Sequence, residues 1–134
     1  MTHPDDLRAE LNRRVDAIEA GYELMLAYAA QGLPSDQGSA SGGQLREFLN
    51  RFHDALTGLA EIYGDLVAAT QPGHAGEYAG FLEVLARDAK AAQAGLRVVI
   101  SQSAISSQTV DNLNASIHVR ALLTDIFLID ELLK

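Results

Sequence analysis

The chain has 134 residues, with 18 acidic against 10 basic side chains, a formal charge of −8 and no cysteine. Its length suits one domain able to bury a continuous core, and the missing Cys excludes disulfides, thiolate zinc sites, iron–sulfur clusters and thiol nucleophiles. No segment is basic, so nothing complements a phosphate backbone or an anionic membrane surface, and neither nucleic acid nor membrane is an expected partner.

The opening MTHPDDLRAELNRR is charged and acidic where a signal peptide needs a basic start and an apolar run, so a cytoplasmic protein is expected. A first helix is expected over about 4–31, with Thr2 and Asp5 spaced as a capping box. Its apolar seam is Leu7, Leu11, Val15, Ile18, Tyr22, Met25 and Ala29, in steps of three and four that hold one helical stripe. Leu24 and Tyr28 form an i, i+4 pair pointing away from that seam. Gly32, Leu33 and Pro34 stop the helix, and the Gly- and Ser-rich stretch 32–43 reads as a flexible loop.

A second helix is expected over about 43–70, entered near Ser41 with Gln44 in the capping-box place. Its seam runs Leu45, Leu49, Phe52, Leu56, Leu59, Tyr63, Leu66. After a turn at 71–76, a third helix is expected over about 75–106, with the seam Tyr78, Leu82, Leu85, Ala89, Ala92, Leu96, Val99. The stretch 101–112 is rich in Ser, Gln, Thr and Asn, which compete for backbone hydrogen bonds. A turn is therefore expected near Ser107–Thr109, with Thr109 capping a fourth helix over about 109–133.

Four rods of similar length predict an all-α fold: an antiparallel up-down four-helix bundle forming a single domain over 1–134. Helix three carries a second stripe on its back, Gly80, Val84, Arg87, Ala91, Ala94, Val98, Ser101 and Ile105, small and nearly uncharged. Helix four has an apolar arc of about 200°, and Leu123 and Phe127 lie outside it. One core cannot cover all of this, so a homo-oligomer, with a dimer favoured, is expected through helices three and four. Its interface set is Gly80, Val84, Ala91, Ala94, Val98, Ile105, Leu123 and Phe127, joined by Leu24 and Tyr28.

Catalytic signatures are missing from the sequence. There is no GxSxG elbow, no Gly-rich phosphate loop, and no Glu-x-x-His pair of the kind that builds a di-iron bundle. His118 and Asp125 lie two turns apart on one line of helix four, with Asn114 nearby, and Arg97 is a candidate counter-charge. The simplest role for these four is a structural polar network that fixes register; contact with a small molecule, haem or metal is the alternative. No catalytic residue, cofactor or metal is expected. The overall expectation is a non-enzymatic bundle that self-associates and binds another protein in an adaptor, chaperone-like or regulatory role.

Overall fold

The computed structural model describes residues 2–134 and is all-helical, with no strand among them. Six α-helices follow in order: α1 (Pro4–Ala30), α2 (Ala40–Leu56), α3 (Leu59–Thr70), α4 (Ala75–Ile100), α5 (Ser107–Ala115) and α6 (Ile117–Leu132), with a 3-10 turn at Pro72–His74. α1 packs against α2, α3 and α5, while α4 packs against α2, α3, α5 and α6. The expected seams supply the core: Leu7, Leu11, Ile18 and Met25 from α1, Leu45, Leu49 and Phe52 from α2, and Leu85, Ala89, Ala92 and Leu96 from α4 are all buried.

Two expected helices are each broken in two. The second breaks at Thr57, which is extended, and Gly58, whose φ of 73° lies in the left-handed region that glycine enters freely. The break exposes carbonyls, and side chains of other helices take them up. Arg14 of α1 donates to the carbonyls of Ala55, at 3.1 Å, and Thr57. Gln93 of α4 donates to the His53 carbonyl at 3.0 Å and to Thr57 Oγ1 at 2.9 Å. The fourth breaks at Ser116, extended at φ −62° and ψ 142°, whose hydroxyl accepts from Val119 N at 3.4 Å and so starts a new helix.

Helix boundaries also move. α1 is capped by His3, whose Nδ1 accepts from Asp5 N at 3.1 Å, in place of the expected Thr2–Asp5 box. α2 begins earlier than expected, with Ser39 Oγ accepting from Gly42 N at 3.0 Å. α4 ends at Ile100 and α5 is capped by Ser106, accepting from Thr109 N at 3.0 Å, so Thr109 is capped rather than capping.

The 32–43 segment, expected to be a flexible connection, is anchored. Asp36, with a side chain 6% exposed, accepts from Arg46 Nε at 2.7 Å and from Ile105 N at 2.8 Å. The same guanidinium donates to the carbonyls of Ile100 and Gln102, at 2.8 and 2.7 Å, which the end of α4 leaves without helical partners. Beside it, Leu33 and Ser107 exchange bonds: Ser107 N donates to Leu33 O at 2.8 Å, and Leu33 N donates to Ser107 Oγ at 2.9 Å. The two crossings at this end of the molecule therefore hold each other.

Tyr28 and Ile105 are corrected by the same arrangement. Both are fully buried, and the Tyr28 hydroxyl donates to the Ile105 carbonyl at 2.6 Å. Tyr28 serves the crossing instead of facing outward, and Ile105 lies beyond the end of α4 instead of on its back. Leu123 is likewise buried, and Leu24 is half-buried.

Candidate functional site

The back of α4 is the most distinctive surface. Gly80 and Ala94 are exposed, Val84 and Ala91 half-buried, and Val98 stands 64% exposed. Because α4 residues at steps of three and four share a stripe, these five positions form one continuous line along the helix. Across from it, α5 and the start of α6 complete an open groove of about 560 Å³. Ala91, Ala94, Gly95, Val98 and Val99 form one wall, and Thr109, Asn112, Leu113 and His118 the other. Gly95 allows the close approach, because a Cβ there would lie 3.3 Å from Leu113 Cδ1.

α6 extends the apolar surface. Leu128 and Leu132 are about half-exposed, and Ile117 is 74% exposed. At 100° per residue, Leu128 and Leu132 fall within about 80° of His118, which lines the groove. Phe127 is 60% exposed but lies about 180° from His118 around α6. It therefore opens on a different side of the molecule from the groove. Of the ten expected interface residues, Gly80, Val84, Ala91, Ala94 and Val98 come together; Phe127 and the half-buried Leu24 of α1 are separate from them, and Tyr28, Ile105 and Leu123 belong to the interior.

The expected polar network is divided as well. His118 is exposed on the groove wall, whereas Asp125 is 9% exposed in the α4–α6 seam. Its neighbour there is Asp88, which is not among the expected residues, and not Arg97, which is exposed. Burial first, and then the Asp88 carboxylate, push the Asp125 carboxyl up to about 7. Oδ2 of Asp125 has no hydrogen-bond partner, and neither has the buried Oδ1 of Asn114. A signal for Asp88 existed: Val84, Asp88, Ala91, Gly95 and Val98 follow four-three steps as regular as the line drawn through Arg87 and Ala94.

Comparison with protein-family models, with curated proteins and with solved structures returns no match. At the far end of α6, Tyr63 donates to Asp130 Oδ1 at 2.5 Å in a pocket of about 300 Å³ that Arg8, Asn12 and Lys134 also line. Burial raises the Asp130 carboxyl against the opposing Tyr63 bond and Lys134 charge, and burial followed by the Asp130 bond raises the Tyr63 hydroxyl. A phenol held above its ordinary value gives up its proton less readily, so it is a poor general acid and remains a hydrogen-bond donor. Arg8 is engaged by the Leu133 carbonyl and Lys134 by Glu131 at 2.8 Å. These groups satisfy one another and tie the end of α6 to α1 and α3.

Among the described residues no three His, Asp or Glu side chains converge as metal ligands, and no helix is long and apolar enough to cross a membrane. The arrangement offers shape and apolar area more than reactive groups.

Proposed function

We propose that this protein is a non-enzymatic helical bundle that self-associates through the back of α4 and acts by binding another protein. In this reading α2 with α3, and α5 with α6, are each one interrupted rod, so that six helices make a four-rod, up-down bundle in the cytoplasm. The observation that carries the proposal is Val98, an aliphatic side chain 64% exposed on a stripe whose other members are Gly80, Val84, Ala91 and Ala94. Small residues let a second backbone come close, and exposed aliphatic groups gain from being covered. The self-complementary arrangement is a two-fold dimer in which the stripe of one copy meets that of the other.

Sedimentation equilibrium at micromolar concentration tests it. The expected mass is twice the 14.4 kDa of one chain, and Val98→Asp weakens the dimer about a hundredfold by placing an unpaired charge in the seam. Because Val98 packs little in the single chain, its circular dichroism stays unchanged. Phe127→Asp, on another side of α6, leaves the dimer intact. A wild-type mass of one chain would remove the reading.

The groove gives one observation in favour of the second reading, a small molecule or haem held beside His118: its walls are apolar, with Thr109, Asn112 and His118 as the polar points. The absorption spectrum of protein purified from cells, with elemental analysis, separates the two. A visible absorption band lost in His118→Ala would favour the ligand.

A further inference from the structure

Asp88 and Asp125 are a pair for which neither the core nor the proposed dimer has a use. Asp125 is 91% buried by its 9% exposure, and it meets another carboxyl across the seam between α4 and α6. Two ionised carboxylates have no proton to donate to each other, and in that state Oδ2 of Asp125 is an orphan in the protein interior. With one proton between them, one carboxyl donates and the other accepts. We infer that Asp88 and Asp125 are a proton-operated latch between α4 and α6, closed while the pair shares a proton and released when both are ionised.

Among the described residues no cation stands where it would replace that proton. On α4, Arg87 points outward beside Asp88, and Lys90 lines the cleft toward α3. α5 carries only Asp111, exposed at the α1 side. On α6 itself, Arg120 lies about 140° from Asp125, His118 is two turns away in the groove, Asp130 holds Tyr63 and Glu131 holds Lys134. Among the described residues Asp88 is the charged group that acts on Asp125.

The direction follows from linkage. With α6 lifted away, Asp125 titrates at its ordinary value of about 3.9, and in the closed seam it titrates far higher. The closed form therefore binds the extra proton, its advantage is complete below the ordinary value, and it is lost as pH rises through the raised one. Release loosens α6, whose buried Leu122, Ile126 and Ile129 then come within reach of water, so the latch governs how much apolar surface the seam presents. The inference does not depend on dimerisation, because it concerns contacts within one chain.

Hydrogen exchange of the full chain tests it, corrected for the intrinsic rate of each amide. From about pH 5 to about pH 9, protection across residues 117–132 is expected to fall about tenfold or more relative to α1. In Asp125→Asn the amide donates to Asp88 at every pH, so the fall disappears. Asp130 still titrates in that variant, so an effect of its own would survive and expose the error. Should Asp125→Asn fail to fold, Asp88→Asn serves the same purpose. Equal protection at both pH values, persistence of the fall in either variant, or its full reversal by magnesium ions, which would mark a cation site, would each overturn the latch.

Discussion

Asp36→Ala is expected to lower folding stability by about 3 kcal/mol and the melting temperature by about 10 °C. The side chain sits where the two crossings of the molecule meet, and it satisfies two donors at once: Arg46 Nε and Ile105 N. Ile105 is fully buried, so its N–H has no route to water when the carboxylate is removed, and the guanidinium loses the charge that holds it over the Ile100 and Gln102 carbonyls. Removing one member of such a set costs more than the pair is worth, because the others remain desolvated. Asp36→Asn retains an oxygen for Ile105 N and should cost about a third as much. Thermal unfolding by circular dichroism distinguishes these outcomes.

The same site sets an acid limit. The Arg46 hydrogen bond is the main reason that the Asp36 carboxyl lies below its ordinary value, with the Ile105 amide adding to it and burial opposing. A carboxyl lowered in the folded state stabilises the fold above its unfolded value of about 3.9, and that contribution is lost as pH falls through the lowered value. The gap between wild type and Asp36→Ala should therefore be full near neutrality and close under strong acid. A gap that persisted there would mean that the charge is irrelevant and only the shape of the loop matters.

Helix content and the buried seams were legible because they rest on periodicity, which survives any detail of connection. Leu45, Leu49 and Phe52 had to face a core, and they do. The breaks were not legible, because the apolar steps run straight through them: Leu56 to Leu59 keeps the register across Thr57 and Gly58, so the pattern gives no warning. What permits the break is the side chains that take its carbonyls, Arg14 from α1 and Gln93 from α4, and those are tertiary facts. Ser116 hid in the same way, because Val110, Leu113, Ile117 and Ala121 keep steps of three and four across it.

The 32–43 segment failed for the opposite reason. Gly and Ser composition reported freedom of the isolated chain, whereas one aspartate, Asp36, placed opposite Arg46 and Ile105, decides the fate of the segment. At the groove, four-three spacing identified Val84, Ala91 and Val98 as a surface line, yet spacing cannot tell which of two adjacent lines turns toward α6. Asp88 belongs to the line that does, and Arg87 to the one that does not. Tyr28 misled because a tyrosine off the main seam usually reaches water, while here a second crossing passes over it and accepts its hydroxyl proton.

Gly42→Ala tests the anchored segment from the other side. Gly42 lies in the first turn of α2, where alanine would ordinarily gain about 1 kcal/mol over glycine. A Cβ there, however, would fall inside contact distance of the Asp36 carbonyl oxygen, 2.6 Å from the Asp36 carbonyl carbon and 2.7 Å from Ser39 Oγ. Two of these are backbone atoms, which cannot rotate aside as a flexible side chain would. Relief requires the Asp36 backbone to retreat, which pulls its carboxylate off Arg46 and Ile105, or requires the Ser39 cap to open. The substitution is thus expected to cost about 3 kcal/mol or more, the upper end for overpacking, despite its favourable helix propensity. The double variant with Asp36→Ala should lose little beyond either single one, because both release the same segment. Gly43→Ala is the control: nothing lies within 4 Å of a Cβ there, and it should stabilise by up to about 1 kcal/mol. Equal melting temperatures for the two alanine variants would show that the loop backbone does not rest on Gly42, and that the segment is as free as its composition suggests.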